Sequence, residues 1–186
     1  MIRIGIIGGA GYTAGELLRI LLNHPNAEIE FVQSSSNAGN LISDIHIDLL
    51  GETNLSFTAK MPFDEVDVIF LCMGHGKSKE FIENNELPES LKIIDLSHDF
   101  RLKREDNNFV YGLPELNRVE IKSANKIANP GCFATGIQLA LLPLAANKLL
   151  VDEVHVQAIT GSTGAGQNPT ETSHFSWRNN NLSAYK

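Results

Sequence analysis

The sequence predicts an α/β protein: a doubly wound parallel sheet followed by the start of a second α+β domain. Three observations carry that prediction. The first stretch, about thirty residues long, reads as strand, glycine-rich turn, helix and strand, the opening unit of such a sheet. Later strands are short runs of continuous apolar residues, the pattern of strands covered on both faces. With 186 residues, 42% hydrophobic and 20% charged, the chain can bury a core. It is also longer than the roughly 150 residues that serve as a prior for one domain.

Taken in order, Arg3 to Ile7 is a β-branched run ending in glycines, and predicts the first buried strand. Gly15 to Leu22 predicts a helix, because Leu17, Leu18, Leu21 and Leu22 share one face and His24-Pro25-Asn26 ends it. Ile29 to Gln33 is the second strand. Ser34 to Asn40 is polar and loop-like, and Leu41 to Lys60 mixes periods too freely to assign. Val66 to Met73 predicts a strand, Gly74-His75-Gly76 a turn, Lys77 to Asn84 a helix, and Lys92 to Leu96 another buried strand. Lys126 to Ala128 reads as a strand leading into the Asn129-Pro130-Gly131 turn. Phe133 to Leu150 has helical periodicity interrupted at Pro143. Val154 to Thr160 alternates polar and apolar residues, which predicts a half-exposed strand of a new sheet. A boundary near residue 150 follows, with 1–150 a Rossmann-type dinucleotide-binding domain and 151–186 the beginning of a second domain.

Charge and hydropathy exclude several classes. The net charge is −7, with Lys and Arg scattered, so a nucleic-acid backbone or an anionic membrane would be repelled. The most apolar run, Val68 to Met73, is far shorter than the roughly 18 residues of a membrane helix. Met1 to Ile7 lacks the plan of a signal peptide. Two cysteines, Cys72 and Cys132, are too few for a disulfide framework. A cytoplasmic protein with no nucleic-acid or membrane partner is expected.

The turn between the first strand and helix, Gly8-Gly9-Ala10-Gly11-Tyr12-Thr13-Ala14-Gly15, suits a dinucleotide. Residues without bulky side chains allow a tight turn and close approach of backbone N–H groups to a pyrophosphate, and the helix N-terminus adds partial positive charge. Gly8, Gly11, Tyr12, Thr13 and Ala14 are the expected contacts there. At the end of the second strand, where an acidic residue would bind the ribose hydroxyls of NAD, the chain has Gln33-Ser34-Ser35-Ser36. Hydroxyls such as those of Ser34 and Ser36 suit a 2′-phosphate and a carboxylate would repel it, so NADP is the expected cofactor. No arginine stands there to strengthen the phosphate contact.

Cys132 follows Asn129-Pro130-Gly131 and should open a helix. Unpaired N–H groups and the helix dipole at that position favour a thiolate, the nucleophilic form. A nucleophilic cysteine beside a nicotinamide points to a thioester reduced by hydride, or to the reverse. Cys72, inside the apolar run, is expected to pack. No metal is expected.

The block from Ile127 to Gly136, with Ala140 and Pro143 following, resembles the active-site signature of the N-acetyl-gamma-glutamyl-phosphate reductase family. Gly8 to Leu17, Ser36 to Gly39, Gly74 to Gly76, Asp95 to Leu102, Tyr111 to Glu115 and Gly161 to Gly166 are similar to further blocks of that family, in its order. The resemblance implies NADPH-dependent reduction of N-acetyl-gamma-glutamyl phosphate in arginine biosynthesis. Cys132 would attack the acyl phosphate and hold the acyl group as a thioester, with a small-molecule acyl phosphate as the partner. It implies cofactor contact at Gly74, substrate contacts at Asn129 and His174, and contacts of Ser162 and Gly164 with the substrate or the nicotinamide. Arg101 would bind the substrate's carboxylate or phosphate with its planar fork; the competing role is an ion pair with Asp99 or Glu115. The resemblance also implies a homo-oligomer of the full-length protein.

Ala14 stands where many members have glycine, and the family's catalytic histidine belongs to a block that would follow Tyr185-Lys186. None of the six histidines here matches it. The resemblance therefore implies an N-terminal portion, incomplete for turnover by itself. Two alternatives remain open: an enzyme like aspartate-semialdehyde dehydrogenase, against which Gly131 argues, and a non-catalytic NADP-binding fragment.

Overall fold

The computed structural model describes residues 1–168 and 170–184. Its strands are β1 (Ile2–Ile7), β2 (Ala27–Gln33), β3 (Phe57–Thr58), β4 (Val68–Leu71), β5 (Lys92–Asp95), β6 (Val110–Tyr111) and β7 (Lys126–Ala128). The helices are α1 (Tyr12–Leu22), α2 (Lys77–Asn84), α3 (Pro114–Ser123), α4 (Cys132–Ala146) and α5 (Phe175–Arg178). Among the described residues the seven strands form one sheet in the order β3-β2-β1-β4-β5-β7-β6, and every strand pair is parallel. The doubly wound parallel sheet is thus present. Two compact units divide the chain, Met1–Val156 and Gln157–Lys186.

The composition of β1 explains its central place. Ile4 and Ile6 belong to one core cluster with Ala14, Leu18 and Leu21 of α1, while Ile7 joins Ile69, Leu71 and Ile93 in another. Successive side chains of a strand point to opposite faces, so a strand covered on both must be apolar throughout. Leu41 to Lys60, unassignable by periodicity, forms two 3-10 turns, Ile42–Asp44 and Ile47–Leu49, and then β3. It sends Ile42, Leu49 and Phe57 into the α1 cluster. Sheet order reverses at β1, which has β2 on one side and β4 on the other; the crevice beyond the strand ends at such a switch point is where ligands bind in this architecture.

Two expectations are corrected. Val154 to Thr160 forms no strand. Val154, Val156 and Ile159 are exposed, and no neighbouring strand among the described residues takes up the backbone groups that an extended segment leaves open. The helix opening at Cys132 is not interrupted at Pro143 but runs through it to Ala146. The Pro143 carbonyl accepts from Asn147 Nδ2 at 2.8 Å just past the helix end.

Candidate active site

Four loops leave the carboxyl ends of β1, β4, β5 and β7, at residues 8–11, 72–76, 96–101 and 129–131. The first carries the glycine-rich turn. Gly8 has φ +79°, and a Cβ there would lie 3.0 Å from the Cys72 carbonyl and the Met73 Cα, so the loops after β1 and β4 meet backbone to backbone. Gln33, at the end of β2, accepts from the Gly8 amide through Oε1 at 3.3 Å and from the Gly9 amide through its carbonyl at 2.8 Å.

Gly11 caps α1 with φ −79°, and no side chain bonds to the open amides of the first turn. A Cβ at Gly11 would make only ordinary contacts, 3.8 Å from the Cys72 and Gly8 carbonyls. Neither the fold nor the backbone conformation therefore requires glycine here. The turn thus has open space above it, and these residues fit a dinucleotide pyrophosphate. Tyr12 and Thr13 are exposed at the helix start, whereas Ala14 is buried in the core below. Ser34 is also buried, with its hydroxyl accepting from Asn37 at 3.1 Å, and Ser36 is exposed. Gly74 is exposed at the end of the second loop with φ +93°.

Cys132 is the first residue of α4 and is exposed. Gly131 caps the helix, its carbonyl accepting from the Thr135 amide at 2.8 Å and hydroxyl at 2.9 Å. Arg101 reaches this turn from the loop after β5. Its Nε donates to the Asn129 carbonyl and its Nη2 to the Leu96 carbonyl, each at 2.8 Å. A Cβ on Gly131 would lie 2.9 Å from Arg101 Nη1. The residue before the cysteine is glycine because a guanidinium occupies the space. Arg101 makes no ion pair with Asp99 or Glu115. Two of its three nitrogens hold backbone, and Nη1 remains beside the turn that precedes Cys132.

Asp99, with its side chain nearly buried, ties the same loop to α2. Its carboxylate accepts from the amides of Gly76 at 2.7 Å and Lys79 at 3.2 Å. Burial works to raise this carboxyl, but the two amides, His98 and the Ser97 hydroxyl outweigh it and hold it below the usual carboxylate value. His75 and His98 stack with centroids 4.3 Å apart, and His75 Nδ1 accepts from the His98 amide at 3.1 Å. Partial burial, then the charges of His98 and Arg101, pull the His75 imidazole below its usual value.

The second thiol differs in kind. Cys72 lies just past β4, packed against the α1 cluster. Burial, helped by the charge of Asp95, pushes it up to about 12. Ser162, Gly164 and His174 lie in the second unit. Ser162 and Gly164 sit in a 3-10 turn, Ser162–Ala165, and His174 precedes α5. The structure thus brings Gly8, Gly11, Tyr12, Thr13, Gly74, Arg101, Asn129 and Cys132 to one end of the sheet. Sequence reasoning missed Gln33, His75 and Asp99. Gln33 had a signal, since it occupies the position where an acidic residue would select NAD.

An exposed thiol at a helix N-terminus, at the same sheet end as Arg101 and the glycine-rich turn, suits acyl transfer to sulfur; a nicotinamide bound at that turn would have to supply hydride for a reduction. Comparison with known proteins agrees. A family model described as semialdehyde dehydrogenase, NAD binding domain, matches residues 3–124, and one described as semialdehyde dehydrogenase, dimerisation domain, matches residues 132–186. A protein of Bacteroides thetaiotaomicron is 63% identical over 186 residues, covering 100% of this chain and 58% of the relative. One of Phocaeicola vulgatus is 62% identical with the same coverage. Both are named N-acetyl-gamma-glutamyl-phosphate reductase, and the chain spans 58% of their length. Among solved structures, aspartate semialdehyde dehydrogenase with NADP from Candida albicans matches with a TM-score of 0.63 at 18% identity, over 82% of this chain and 49% of that one. That is a likeness of fold. Among the described residues no helix is long and apolar enough to cross a membrane.

Proposed function

The chain belongs to the semialdehyde dehydrogenase family, and on that premise we propose that it reduces N-acetyl-gamma-glutamyl phosphate to N-acetylglutamate semialdehyde and phosphate, a step of arginine biosynthesis. One observation carries the chemistry: Cys132 is exposed at the first turn of α4, on a loop that Arg101 holds in place. The relatives at 60–63% identity support the substrate, since all are named for it. The aspartate-semialdehyde enzymes match at 17–21% identity and support only the fold.

In this reading Cys132 Sγ attacks the acyl carbon. A C–S bond forms, the bond from that carbon to the phosphate oxygen breaks, and phosphate leaves. Arg101 Nη1, beside Gly131, attracts the departing phosphate while its other two nitrogens keep the Asn129 and Leu96 carbonyls in place. A nicotinamide held by the glycine-rich turn would supply the hydride that reduces the acyl group. Breaking the C–S bond then releases the aldehyde and returns the Cys132 thiolate. Gly8, Gly11, Tyr12 and Thr13 hold the pyrophosphate. Ser36, with Ser34 shaping the loop beneath it, receives the 2′-phosphate, which favours NADP.

Asn129 is assigned to the substrate and Gly74 to the nicotinamide; for Ser162, Gly164 and His174, in the second unit, a ligand contact rests on the family resemblance. We take the dinucleotide-binding domain as 1–150, a bound that lies between the start of the dimerisation-domain match at residue 132 and the division of the compact units after Val156. The match to a dimerisation domain, together with Leu139 and Leu144 exposed on α4, supports a homo-oligomer.

The test is intact mass after mixing with N-acetylglutamyl phosphate and, separately, aspartyl phosphate. An acyl adduct from the acetylated compound alone, absent in Cys132→Ser, is expected. A folded chain that binds NADPH yet forms no adduct, or forms it on Cys72, would overturn the assignment.

A further inference from the structure

We propose that His46 is a positioning residue for the dinucleotide-binding turn: its imidazole holds the Gly9 carbonyl and so sets how the turn meets a ligand. This rests on the reading of residues 8–14 as a dinucleotide site. His46 is buried and contributes nothing to the acyl-transfer chemistry above. It stands between the two 3-10 turns of the 41–50 segment, its amide donating to Ile42 at 2.9 Å and its carbonyl accepting from Leu49 at 2.9 Å. Both backbone groups are thus anchored, and the ring is aimed at α1.

His46 Nε2 lies 2.8 Å from the Gly9 carbonyl oxygen. A carbonyl only accepts, so Nε2 carries the proton. The other edge of the ring lies against Gly15, where a Cβ would come within 2.7 Å of Nδ1 and 2.8 Å of Cε1. Glycine inside a helix is disfavoured by about 1 kcal/mol relative to alanine. At Gly15 the ring explains it. Phe57 closes the pocket, its ring centroid 6.3 Å from that of His46.

Gly9 is consequently gripped on every side. Its amide donates to the Gln33 carbonyl at 2.8 Å, a Cβ on it would fall 2.2 Å from Val32 Cγ1 and 3.2 Å from Phe57 Cε1, and its carbonyl is bound by His46. Because a peptide unit is planar, fixing that carbonyl fixes the Gly9–Ala10 plane, which leads into Gly11 and the first turn of α1. A histidine that merely filled the core would stabilise the fold without orienting the turn. The two roles separate experimentally.

The experiment compares His46→Gln, His46→Asn and His46→Leu in the whole chain, reading NADPH affinity by fluorescence titration and amide exchange of residues 8–15 without ligand. Glutamine can place an N–H where Nε2 stands, asparagine cannot reach, and leucine has no donor. His46→Gln should bind within about twofold of the parent, and the other two about five- to tenfold more weakly, the worth of one hydrogen bond. Exchange in 8–15 should quicken in those two alone. If His46→Leu fails to fold, the glutamine and asparagine variants still decide, being both polar and similar in size. Equal affinity, or equal exchange, in those two overturns the proposal. A parent that binds no NADPH while the exchange pattern holds would instead refute the dinucleotide site and leave the ring's grip on the turn standing.

Discussion

Replacing Gly131 by alanine puts the proposed site's central contact under direct strain. The new Cβ would sit 2.9 Å from Arg101 Nη1, where ordinary contact begins at 3.4 Å, so the guanidinium must retreat by about half an ångström. Arg101 is not free to swing. Nε and Nη2 are bound to the Asn129 and Leu96 carbonyls at 2.8 Å each, and a shift of that size takes both past the roughly 3.2 Å limit of a good N–H···O bond. These bonds are partly exposed and water replaces some of their worth, so the expected cost is about 1–2 kcal/mol. For a chain of this length that is a fall in melting temperature of roughly 2–8 °C. Acyl transfer to Cys132 should slow by about tenfold, since the displaced cation no longer faces the leaving phosphate.

Thermal denaturation and the rate of adduct formation by intact mass read the two effects. A double-mutant cycle identifies the cause. Arg101→Met should itself lower the acylation rate, and in that background Gly131→Ala should add nothing, because the atom it would strike is gone. Equal effects of Gly131→Ala with and without Arg101, or none in either, would refute the account of why glycine precedes the cysteine.

Other consequences are simpler to read. At pH 8 one equivalent of iodoacetamide should label Cys132 and spare Cys72, whose thiol is pushed up to about 12; Cys132→Ser should abolish fast labelling and Cys72→Ser should not. Gly11→Ala should lower the melting temperature by no more than about 2–4 °C, the cost of a poorer N-cap, since its Cβ meets only ordinary contacts, yet weaken NADPH binding by about tenfold on titration. Asp99→Asn tests the loop anchor by pH. A carboxyl held below its unfolded value of 3.8 stabilises the fold fully above that value, and the contribution fades as pH falls through the folded value. The stability gap between parent and variant in urea titrations should therefore be widest near neutral pH and close in acid below 3.8; a gap that widened in acid would contradict the anchor.

What was legible in the sequence divides along a physical line. β1, β4 and β5 could be read because strands covered on both faces must be continuously apolar, and α2 because turn residues bracket it. β3 and β6 are two residues long, and α3 buries none of its side chains, so neither left a periodic trace. The 41–58 segment fills the α1 cluster through turns, whose apolar residues follow no period. Val154 to Thr160 alternates like a strand, but alternation specifies only a face, and a strand exists only where a neighbour accepts its backbone bonds. In the candidate site, Cys132 and the glycine turn could be read because the role proposed for each rests on its local backbone. Arg101 could be singled out but not its targets. Its bond to Asn129 spans 28 residues and that of His46 to Gly9 spans 37, and such contacts are set by sheet order rather than by spacing.

Those long contacts share one form: a polar side chain from one loop satisfies backbone groups of the next. His46 binds Gly9, Asp99 binds Gly76 and Lys79, and Arg101 binds Leu96 and Asn129. Loops beyond the strand ends have no ladder to take up their amides and carbonyls, so their shape depends on such partners. Gly8, packed on the Cys72–Met73 backbone, completes a chain of contact from the glycine-rich turn through the loops after β4 and β5 to the turn before Cys132. The polar side chains that make these bonds, those of His46, Asp99 and Arg101, belong to neither apolar cluster. Substitutions among them should therefore change ligand affinity and acylation rate more than stability, whereas truncating Ile6 or Ile69 in the clusters should do the reverse.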